Sequence, residues 1–202
     1  MNFHSFHRDL RPLLVFSNFD IKKLDPSFNE VNLTNWQNSE YITKLAKGYY
    51  TFADINPVSE LLYFAANKII DPSYVSCESA LAYYGILKME DSITSVCSIR
   101  TYSYKSDYGG FKYHFSRPEY MFGYNFVKFN QHTFKIATPE KAIVDFFNYN
   151  PQYNTRAKIR ALEFDKVILR QMDFKSKLKS ISYSYNNQFL DRRIRNFMNL
   201  FL

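Results

Sequence analysis

The sequence predicts an α+β fold, and three observations predict it. Residues 1–53 contain three short helical patterns followed by two alternating stretches joined by a turn. Residues 93–137 carry short segments rich in Val, Ile, Tyr, Phe and Thr, which are typical of strands. Residues 152–202 return to apolar side chains spaced three and four apart, which is typical of amphipathic helices. We therefore expect two domains, over residues 1–53 and 54–202, and a helical tail over residues 152–202.

The order of elements in the first domain predicts a winged helix-turn-helix. Phe3–Leu10 has the spacing of a first helix. Ser17 and Ser27 each begin a Ser-x-x-acid capping box, which predicts a second helix and a third one over Phe28–Asn38. Two alternating stretches around the turn Ala46-Lys47-Gly48 then predict a hairpin.

The second domain is expected to be a mixed α/β domain with a small, mostly antiparallel sheet. Ser76 is a plausible cap for one of its helices, and Thr138 followed by Pro139 is typical of the start of another. In that second helix we interpret Glu140 as a first-turn charge and Asp145 as an exposed surface acid. The alternating segments predict strands at Ile93–Arg100, Phe111–Phe115, Tyr124–Phe129 and Thr133–Ala137.

The positive charge is concentrated at the C-terminal end. The chain of 202 residues has 26 Lys and Arg against 19 Asp and Glu, a formal charge of +7. Residues 152–202 contain 11 of the basic and 4 of the acidic residues, so the remaining 15 and 15 cancel. This distribution predicts one basic face built from the C-terminal segment rather than an evenly basic surface.

The lengths of the apolar runs and the pattern of the N-terminus exclude several classes of protein. No apolar run approaches the roughly 20 residues of a membrane helix, and the N-terminus lacks the pattern of a secretory signal. The two cysteines, Cys77 and Cys97, are more typical of buried thiols in a reducing compartment than of a disulfide scaffold. We expect a cytoplasmic protein that does not bind membranes.

The sequence motifs do not support a catalytic function. The chain has no phosphate-binding loop, no nucleophile elbow and no dinucleotide fingerprint, and it contains five glycines in all. Of its four histidines, His4 and His7 are spaced i, i+3, but no Cys or third His completes a metal site. We therefore expect no catalytic activity, no metal and no cofactor.

Nucleic-acid binding is the function that the third helix favours. Leu33 and Trp36 are expected to face the small core, which leaves a polar face of Thr34, Asn35 and Asn38 with Asn32 at its margin. Asn pairs bidentately with adenine, and Thr contacts a base or the thymine methyl group. Contacts with phosphate are expected from Lys22, Lys23, Lys44 and Lys47.

The charge of this domain leaves an alternative open. Residues 1–52 have 6 basic and 5 acidic side chains, which provides few cations for binding phosphate. The alternative is a non-catalytic interaction module that docks a partner chain through the N-terminal domain.

The C-terminal segment Gln188–Leu202 is amphipathic. Arg192, Arg193 and Arg195 lie outside its apolar stripe and are expected on a basic face that supplies further phosphate contacts. A helix of this kind also occurs on membrane surfaces, but packing of the stripe on the core is the more common arrangement. The stripe consists of Leu190, Ile194, Phe197, Met198 and Phe201.

Three segments, at Tyr41–Tyr50, Pro72–Gly85 and Ala137–Asp145, resemble AbiEi-type antitoxins, the regulators of type IV toxin–antitoxin and abortive-infection systems. Tyr41–Tyr50 resembles the wing of that family. Pro72–Gly85 is similar to its "P-s-y-i-s-x-x-s-A-l-x-y-y-G" signature, and Ala137–Asp145 is similar to its "A-x-P-E-K-A-l-x-D" signature, in the expected order. The resemblance covers residues 15–150 well and the helical tail loosely. Both signatures also have a structural explanation as caps and core positions of helices.

The resemblance implies a function. The N-terminal winged helix would bind inverted repeats in its own promoter and repress the operon, and the C-terminal domain would assist cooperative DNA binding and carry the antitoxin activity. The cognate toxin would be a nucleotidyltransferase-like protein, antagonised indirectly rather than through a tight complex. The family wing is commonly rich in arginine, whereas the turn here is Ala46-Lys47-Gly48. Ser39-Glu40 stands where a glycine often precedes the wing in that family.

Overall fold

The computed structural model describes residues 1–88, 91–171 and 174–202, apart from the side chain of Gln171. The described chain forms an α+β fold with ten α-helices, a three-stranded antiparallel sheet and a six-stranded mixed sheet. None of these helices combines the length and the apolar character that crossing a bilayer requires.

The N-terminal unit, residues 1–53, contains the three-stranded sheet. Its strands follow the order β1-β3-β2, and Phe16 of β1 lies opposite Tyr50 of β3. Strand β1 was not predicted, because three residues are too few to show an alternation. The elements are α1 (Phe3–Leu10), β1 (Val15–Ser17), α2 (Asn18–Leu24), α3 (Val31–Asn38), β2 (Ile42–Ala46) and β3 (Tyr49–Phe52).

The two predicted capping boxes have different outcomes. Ser17 and Asp20 form the predicted box at the start of α2, each side chain bonding the backbone N–H of the other residue. The prediction of a capping box at Ser27 is wrong, because α3 begins at Val31 without a side-chain cap. The Ser27 hydroxyl donates instead to the Asp25 carboxylate at 2.7 Å. A nearer acceptor in the preceding turn therefore competes successfully for this serine.

Phe6 is at the centre of the N-terminal unit's core. Its ring is fully buried, and its centroid lies within 5.8 Å of the ring centroids of Phe16, Phe28, Trp36 and Phe52. These rings come from α1, β1, α3, β3 and the loop before α3. The aromatic cluster therefore ties α3 to the sheet and to α1.

The large sheet has the strand order β6-β7-β5-β4-β9-β8. The pairs β4–β9 and β5–β7 are parallel, and the other three are antiparallel, so the sheet is larger and more mixed than predicted. Four strands occur close to where they were predicted, whereas β4 and β6 were not predicted. The strands are β4 (Ser73–Val75), β5 (Ser92–Cys97), β6 (Tyr102–Ser106), β7 (Gly109–Phe115), β8 (Tyr124–Phe129) and β9 (His132–Ala137).

Different helices cover the two faces of the large sheet. Adjacent residues of β4 show this, because neighbouring side chains of a strand point to opposite faces. Ser73 accepts a hydrogen bond from Asn67 of α4 at 3.5 Å, whereas Tyr74 donates to Asp145 of α6 at 2.9 Å. The helices of this part are α4 (Ser59–Ile69), α5 (Cys77–Tyr83) and α6 (Pro139–Tyr149).

The N-terminal unit packs against α4 and the neighbouring edge of the large sheet. Lys68 of α4 donates a hydrogen bond of 2.6 Å to the carbonyl of Val15 in β1. The Thr43 hydroxyl in β2 lies 3.2 Å from the Tyr108 hydroxyl in the β6–β7 turn. The side chains of Val15, Leu45 and Ala46 belong to the main core rather than to the core around Phe6.

The C-terminal helices pack on the other face, against α6 and against each other. Burial of the five apolar residues predicted for the last helix is confirmed, since each is at most 8% exposed. The basic tail therefore lies across the large sheet from the N-terminal unit. The C-terminal helices are α7 (Arg156–Arg160), α8 (Lys166–Gln171), α9 (Lys175–Ser184) and α10 (Gln188–Phe201).

Candidate nucleic-acid interface

Helix α3 presents the polar face that its spacing predicts. Leu33 is 3% exposed and contributes to the core around Phe6. Thr34, Asn35 and Asn38 are exposed, and Asn32 is half-buried at the margin of this face. The α3 face, as we call these four residues, is therefore open to a ligand along its whole length.

Of the predicted phosphate-binding lysines, Lys22 lies beside the first turn of α3. Lys22 Nζ is 3.1 Å from the carboxylate of Glu30, which immediately precedes the helix. Lys44 lies opposite Tyr50 in the β2–β3 pair. Burial raises the pKa of Tyr50, and the Glu30 carboxylate raises it further. Lys22 therefore stands at the N-terminal end of α3, and Lys44 belongs to the hairpin.

Among the described residues, the N-terminal unit has more unpaired basic side chains than its net charge of +1 over residues 1–52 suggests. Arg8, Arg11 and Lys22 each pair with an acid. Lys23, Lys44 and Lys47 are exposed and form no ion pair with any residue that the structure describes. Four of the five acids in residues 1–52 are paired, which within the described chain leaves Glu40 alone.

Glu40 lies at the far end of α3 from Lys22. It borders a cleft of about 310 Å³ shared with Phe3, His7, Tyr41 and Asp54. An eight-residue helix is about 12 Å long, so this carboxylate is separated by the helix from the end where Lys22 lies. Repulsion between Glu40 and a phosphate bound near Lys22 is correspondingly small.

The β2–β3 hairpin is short and held on both sides. Its two-residue turn is Lys47-Gly48, and the Gly48 carbonyl accepts a hydrogen bond of 2.9 Å from the backbone N–H of Asn18. Gly48 has φ +77°, a conformation that favours glycine. The preceding residues Leu45 and Ala46 are buried in the main core. Lys47 therefore projects from a fixed turn and not from a free arm.

The three tail arginines do not form one face. Arg192 and Arg195 are exposed, as predicted. The prediction for Arg193 is wrong, since this side chain is only 6% exposed and its Nε atom has no hydrogen-bond partner in the described chain. Burial lowers the pKa of Arg193. The reason is geometric, because position 193 follows Leu190 by three residues and lies at the edge of the apolar stripe.

The structure separates the two groups of predicted DNA contacts. Lys22, Lys44 and the α3 face belong to the N-terminal unit, on the α4 side of the large sheet. Arg192 and Arg195 belong to α10, which packs with α6 on the other side. The expected support of the N-terminal unit by a basic C-terminal face is therefore not realised in this fold.

A buried charged network was missed by the sequence analysis. Asp145 has no exposed surface, so its interpretation as a surface acid is wrong. Its Oδ1 atom is 2.5 Å from Lys141 Nζ and accepts from the Tyr185 hydroxyl at 2.8 Å. Its Oδ2 atom accepts from the hydroxyls of Tyr74 at 2.9 Å and Ser76 at 2.7 Å. A signal was present, because Lys141 and Asp145 are spaced i, i+4 on a helix whose neighbouring residues are apolar.

This network ties β4, α6 and the loop between α9 and α10 together, and its two charged members, Lys141 and Asp145, have no exposed surface. Lys141 is fully buried, and its Nζ atom lies 5.1–5.4 Å from the ring centroids of Tyr74, Phe122 and Tyr185. The adjacent Cys77 has φ +50°, and burial raises the pKa of its thiol, which therefore stays protonated and is a poor nucleophile. Paired and hydrogen-bonded on every side, the Asp145 carboxylate meets the condition for burying a charge.

Comparison with known proteins adds no assignment to this geometry. Neither a protein-family model nor a curated protein sequence matches the chain.

Proposed function

We propose that the N-terminal unit is a winged helix-turn-helix that binds operator DNA, with α3 as its recognition helix. The observation that carries the proposal is the order α1-β1-α2-α3-β2-β3 with the sheet order β1-β3-β2, combined with the exposed α3 face. A recognition helix enters the major groove, which admits one α-helix. Asn35 then pairs with the edge of adenine, and Thr34 contacts a neighbouring base.

Charge supports the same orientation. Lys22 lies beside the first turn of α3, and the N-terminal residues of a recognition helix are the ones that contact base edges. Lys23, Lys44 and Lys47 have no ion-pair partner among the described residues, so binding phosphate breaks no existing pair. The Lys22–Glu30 pair is exposed on both sides, and such pairs contribute little to stability.

On this basis the chain is a transcriptional autoregulator, and its resemblance to AbiEi-type regulators makes it the antitoxin of a type IV system. Two of the resembling segments meet in the buried network, since Ser76 comes from Pro72–Gly85 whereas Lys141 and Asp145 come from Ala137–Asp145. This meeting supports the interpretation that both segments specify the fold. The antagonised toxin is a nucleotidyltransferase-like protein, reached functionally rather than through a tight complex.

The test of DNA binding is a salt titration on duplex DNA from the chain's own upstream region. Lys44→Ala with Lys47→Ala is expected to weaken binding and to lower the slope of log K against log salt by about 0.9 for each phosphate that is no longer neutralised. The matched control is Lys128→Ala with Lys158→Ala, which removes the same charge from exposed positions of β8 and α7. Equal affinities and slopes for the two double variants would contradict the assignment of the hairpin.

The antitoxin proposal has a separate test. Co-expression with the nucleotidyltransferase-like product of the neighbouring gene is expected to restore growth that the toxin alone arrests. A Thr34→Ala/Asn35→Ala variant is expected to lose repression and to keep this rescue, because the two activities belong to different parts of the chain. Failure of rescue by the wild-type chain would remove the antitoxin assignment and leave DNA binding unaffected.

A second candidate is a protein-docking module, which two exposed apolar side chains favour. Phe19 of α2 is 76% exposed and Val31 of α3 is 60% exposed. Large apolar side chains of this exposure supply binding energy at protein interfaces. If this candidate is right, the wild-type chain forms a stoichiometric complex with the neighbouring gene product on size-exclusion chromatography, and Phe19→Ala abolishes it.

A further inference from the structure

A cleft of about 530 Å³ lies on the α6 side of the large sheet, far from the α3 face in the fold. Its walls come from the end of β7, the turn Pro118–Tyr120, the C-terminal end of α6 and the loop between α9 and α10. The volume falls within the range of small-molecule sites. We call it the aromatic cleft, because rings form much of its lining: Phe115, Tyr120, Tyr149, Tyr185 and Phe189.

Three of these rings are held in place before any ligand arrives. Tyr185 is fixed by its hydroxyl, which contacts both Lys141 and Asp145, and Tyr120 stacks on it at 4.5 Å between centroids and 12° between planes. Tyr149 stacks on His114 at 4.4 Å and donates its hydroxyl to the carbonyl of Phe115. Rigid rings lose little entropy when a flat ligand stacks on them.

Two further rings are left in contact with water. Phe115 is 46% exposed and Phe189 is 56% exposed at the border of the cleft. The Arg192 guanidinium lies 5.9 Å from the centroid of the Phe189 ring. Exposed phenylalanines beside arginine provide stacking faces and positive charge in the same place.

The polar groups of the cleft are available to a ligand. The side-chain amides of Asn148, Asn186 and Gln188 have no hydrogen-bond partner in the part of the chain that the structure describes. Arg117 reaches only Glu119, at 3.8 Å and with both side chains more than half exposed. Among the described residues, Arg117 is the only charged side chain in the lining of the cleft, and its acidic neighbour Glu119 is not part of the lining.

From this combination we infer that the aromatic cleft binds nucleotide units, with a base against the rings and a phosphate at Arg117. Stacking on aromatic side chains supplies affinity for every base, amides match the donors and acceptors of base edges, and arginine matches phosphate. A phosphorylated but non-planar ligand would leave the rings unused, and a neutral aromatic ligand would leave Arg117 unused. The inference stands independently of DNA binding by the α3 face, because the large sheet separates the two surfaces.

Single-stranded nucleic acid and free mononucleotides both present a base and a phosphate, and one set of binding measurements distinguishes them. Binding is measured by fluorescence anisotropy with a labelled ten-residue oligothymidylate and a labelled ten-residue oligouridylate, and by calorimetry with AMP, GMP, CMP and UMP. Tight binding of the oligonucleotides with weak binding of the mononucleotides identifies single-stranded nucleic acid as the source. Comparable affinity for one mononucleotide identifies a free nucleotide.

The variants use exposed residues, so that folding is preserved. The double variant Phe189→Ala/Arg117→Ala is expected to bind the oligonucleotide or mononucleotide about tenfold or more weakly than wild type. This is the loss expected when a stacking ring and a phosphate contact are both removed. The matched control is Phe126→Ala with Arg160→Ala, an exposed phenylalanine of β8 and an exposed arginine of α7, which should bind like wild type. Lys44→Ala with Lys47→Ala should also leave this binding unchanged.

Two results would overturn the inference. One is the absence of binding to every mononucleotide and oligonucleotide at millimolar and micromolar concentrations respectively. The other is equal weakening in the cleft variant and its control. A loss of duplex binding in the hairpin variant, with oligonucleotide binding intact, supports both proposals, because it shows that the two surfaces act separately.

Discussion

Tyr113 and His114 are neighbours in β7, yet they contact helices on opposite faces of the large sheet. The Tyr113 hydroxyl donates a hydrogen bond of 2.8 Å to the carbonyl of Ala66 in α4. The His114 ring stacks on Tyr149 of α6 at 4.4 Å. The sheet therefore divides the molecule into the side of α4 and the N-terminal unit and the side of α6 and the C-terminal helices. This division makes the basic tail and the α3 face separate surfaces.

The first prediction concerns the tail arginines. Arg192→Ala with Arg195→Ala is expected to leave affinity for duplex operator DNA within about twofold of wild type, because side chains on a separate surface release no counterions from that duplex. Fluorescence anisotropy of a labelled operator duplex, between about 50 and 200 mM salt, measures this affinity. A fall in the salt slope equal to that of Lys44→Ala/Lys47→Ala would mean that the tail and the hairpin bind the same duplex.

The second prediction concerns the buried pair. Lys141→Met is expected to lower the free energy of unfolding by about 3–5 kcal/mol, because it leaves the Asp145 carboxylate buried without its counter-charge. Adding Asp145→Asn should recover part of this loss, since it removes the uncompensated charge. The amide oxygen can still accept from the hydroxyls of Tyr74 and Ser76, and the amide NH2 can donate to the Tyr185 hydroxyl oxygen. Urea unfolding of both single variants and the double variant gives the coupling energy.

An exposed pair provides the matched control for this measurement. Lys88 and Glu163 approach to 3.4 Å with side chains 89% and 80% exposed. Lys88→Met should cost less than about 1 kcal/mol, as exposed pairs do. A loss in Lys141→Met no larger than that would show that the buried charge is solvated in the folded chain.

The third prediction concerns the dependence of stability on pH. Burial and, to a smaller extent, the Lys112 charge lower the pKa of His114 from 6.5 to about 4, against an opposing effect of the Asp145 charge. The unfolded chain therefore binds a proton at this site more readily than the folded chain does. Its contribution to stability is complete above about pH 6.5 and is lost as the pH falls toward about 4.

His114→Phe isolates this contribution, because it keeps a ring against Tyr149 and removes the titrating group. The urea midpoints of wild type and variant should run parallel above about pH 7, and the wild-type midpoint should fall relative to that of the variant as the pH drops toward about 4.5. Midpoints that stay parallel through this range would show that His114 is solvated in the folded state.

The fourth prediction compares two serines that the sequence presents alike. Ser17→Ala removes the capping box of α2 and should destabilise the chain by about 1 kcal/mol. Ser27→Ala removes only a hydrogen bond to Asp25 in a turn and should change stability by less than about 0.5 kcal/mol. Thermal unfolding of the two variants side by side measures the difference, and equal losses would restore Ser27 as the cap of α3.

Local patterns predicted the elements whose signals are carried by neighbouring residues. The α1 range, the Ser17 box, the cap at Thr138 and the buried stripe of α10 are all correct, because each depends on spacing within one helix. The exposure of Thr34, Asn35 and Asn38 follows from the same periodicity.

The incorrect predictions concern strands and side chains whose structure depends on contacts with residues distant in the sequence. Strands β1 and β4 have three residues each, and they exist because β3, β5 and β9 provide the pairing. Asp145 is buried because hydroxyls from β4, the residue after it and the α9–α10 loop converge on its carboxylate. Arg193 is buried at the edge of the apolar stripe of α10, a helix that packs against α6, α7, α8 and α9.

The sequence by itself determined the α+β class, the helix that carries Thr34 and Asn35, and the concentration of positive charge in residues 152–202. These properties depend on composition and on periods of a few residues. Only the tertiary structure decided that this charge lies across the large sheet from α3, and that rings from four separate segments line one cleft with Arg117. Both depend on strand order and helix packing, which are set by contacts between residues far apart in the chain, and no short-range pattern encodes them.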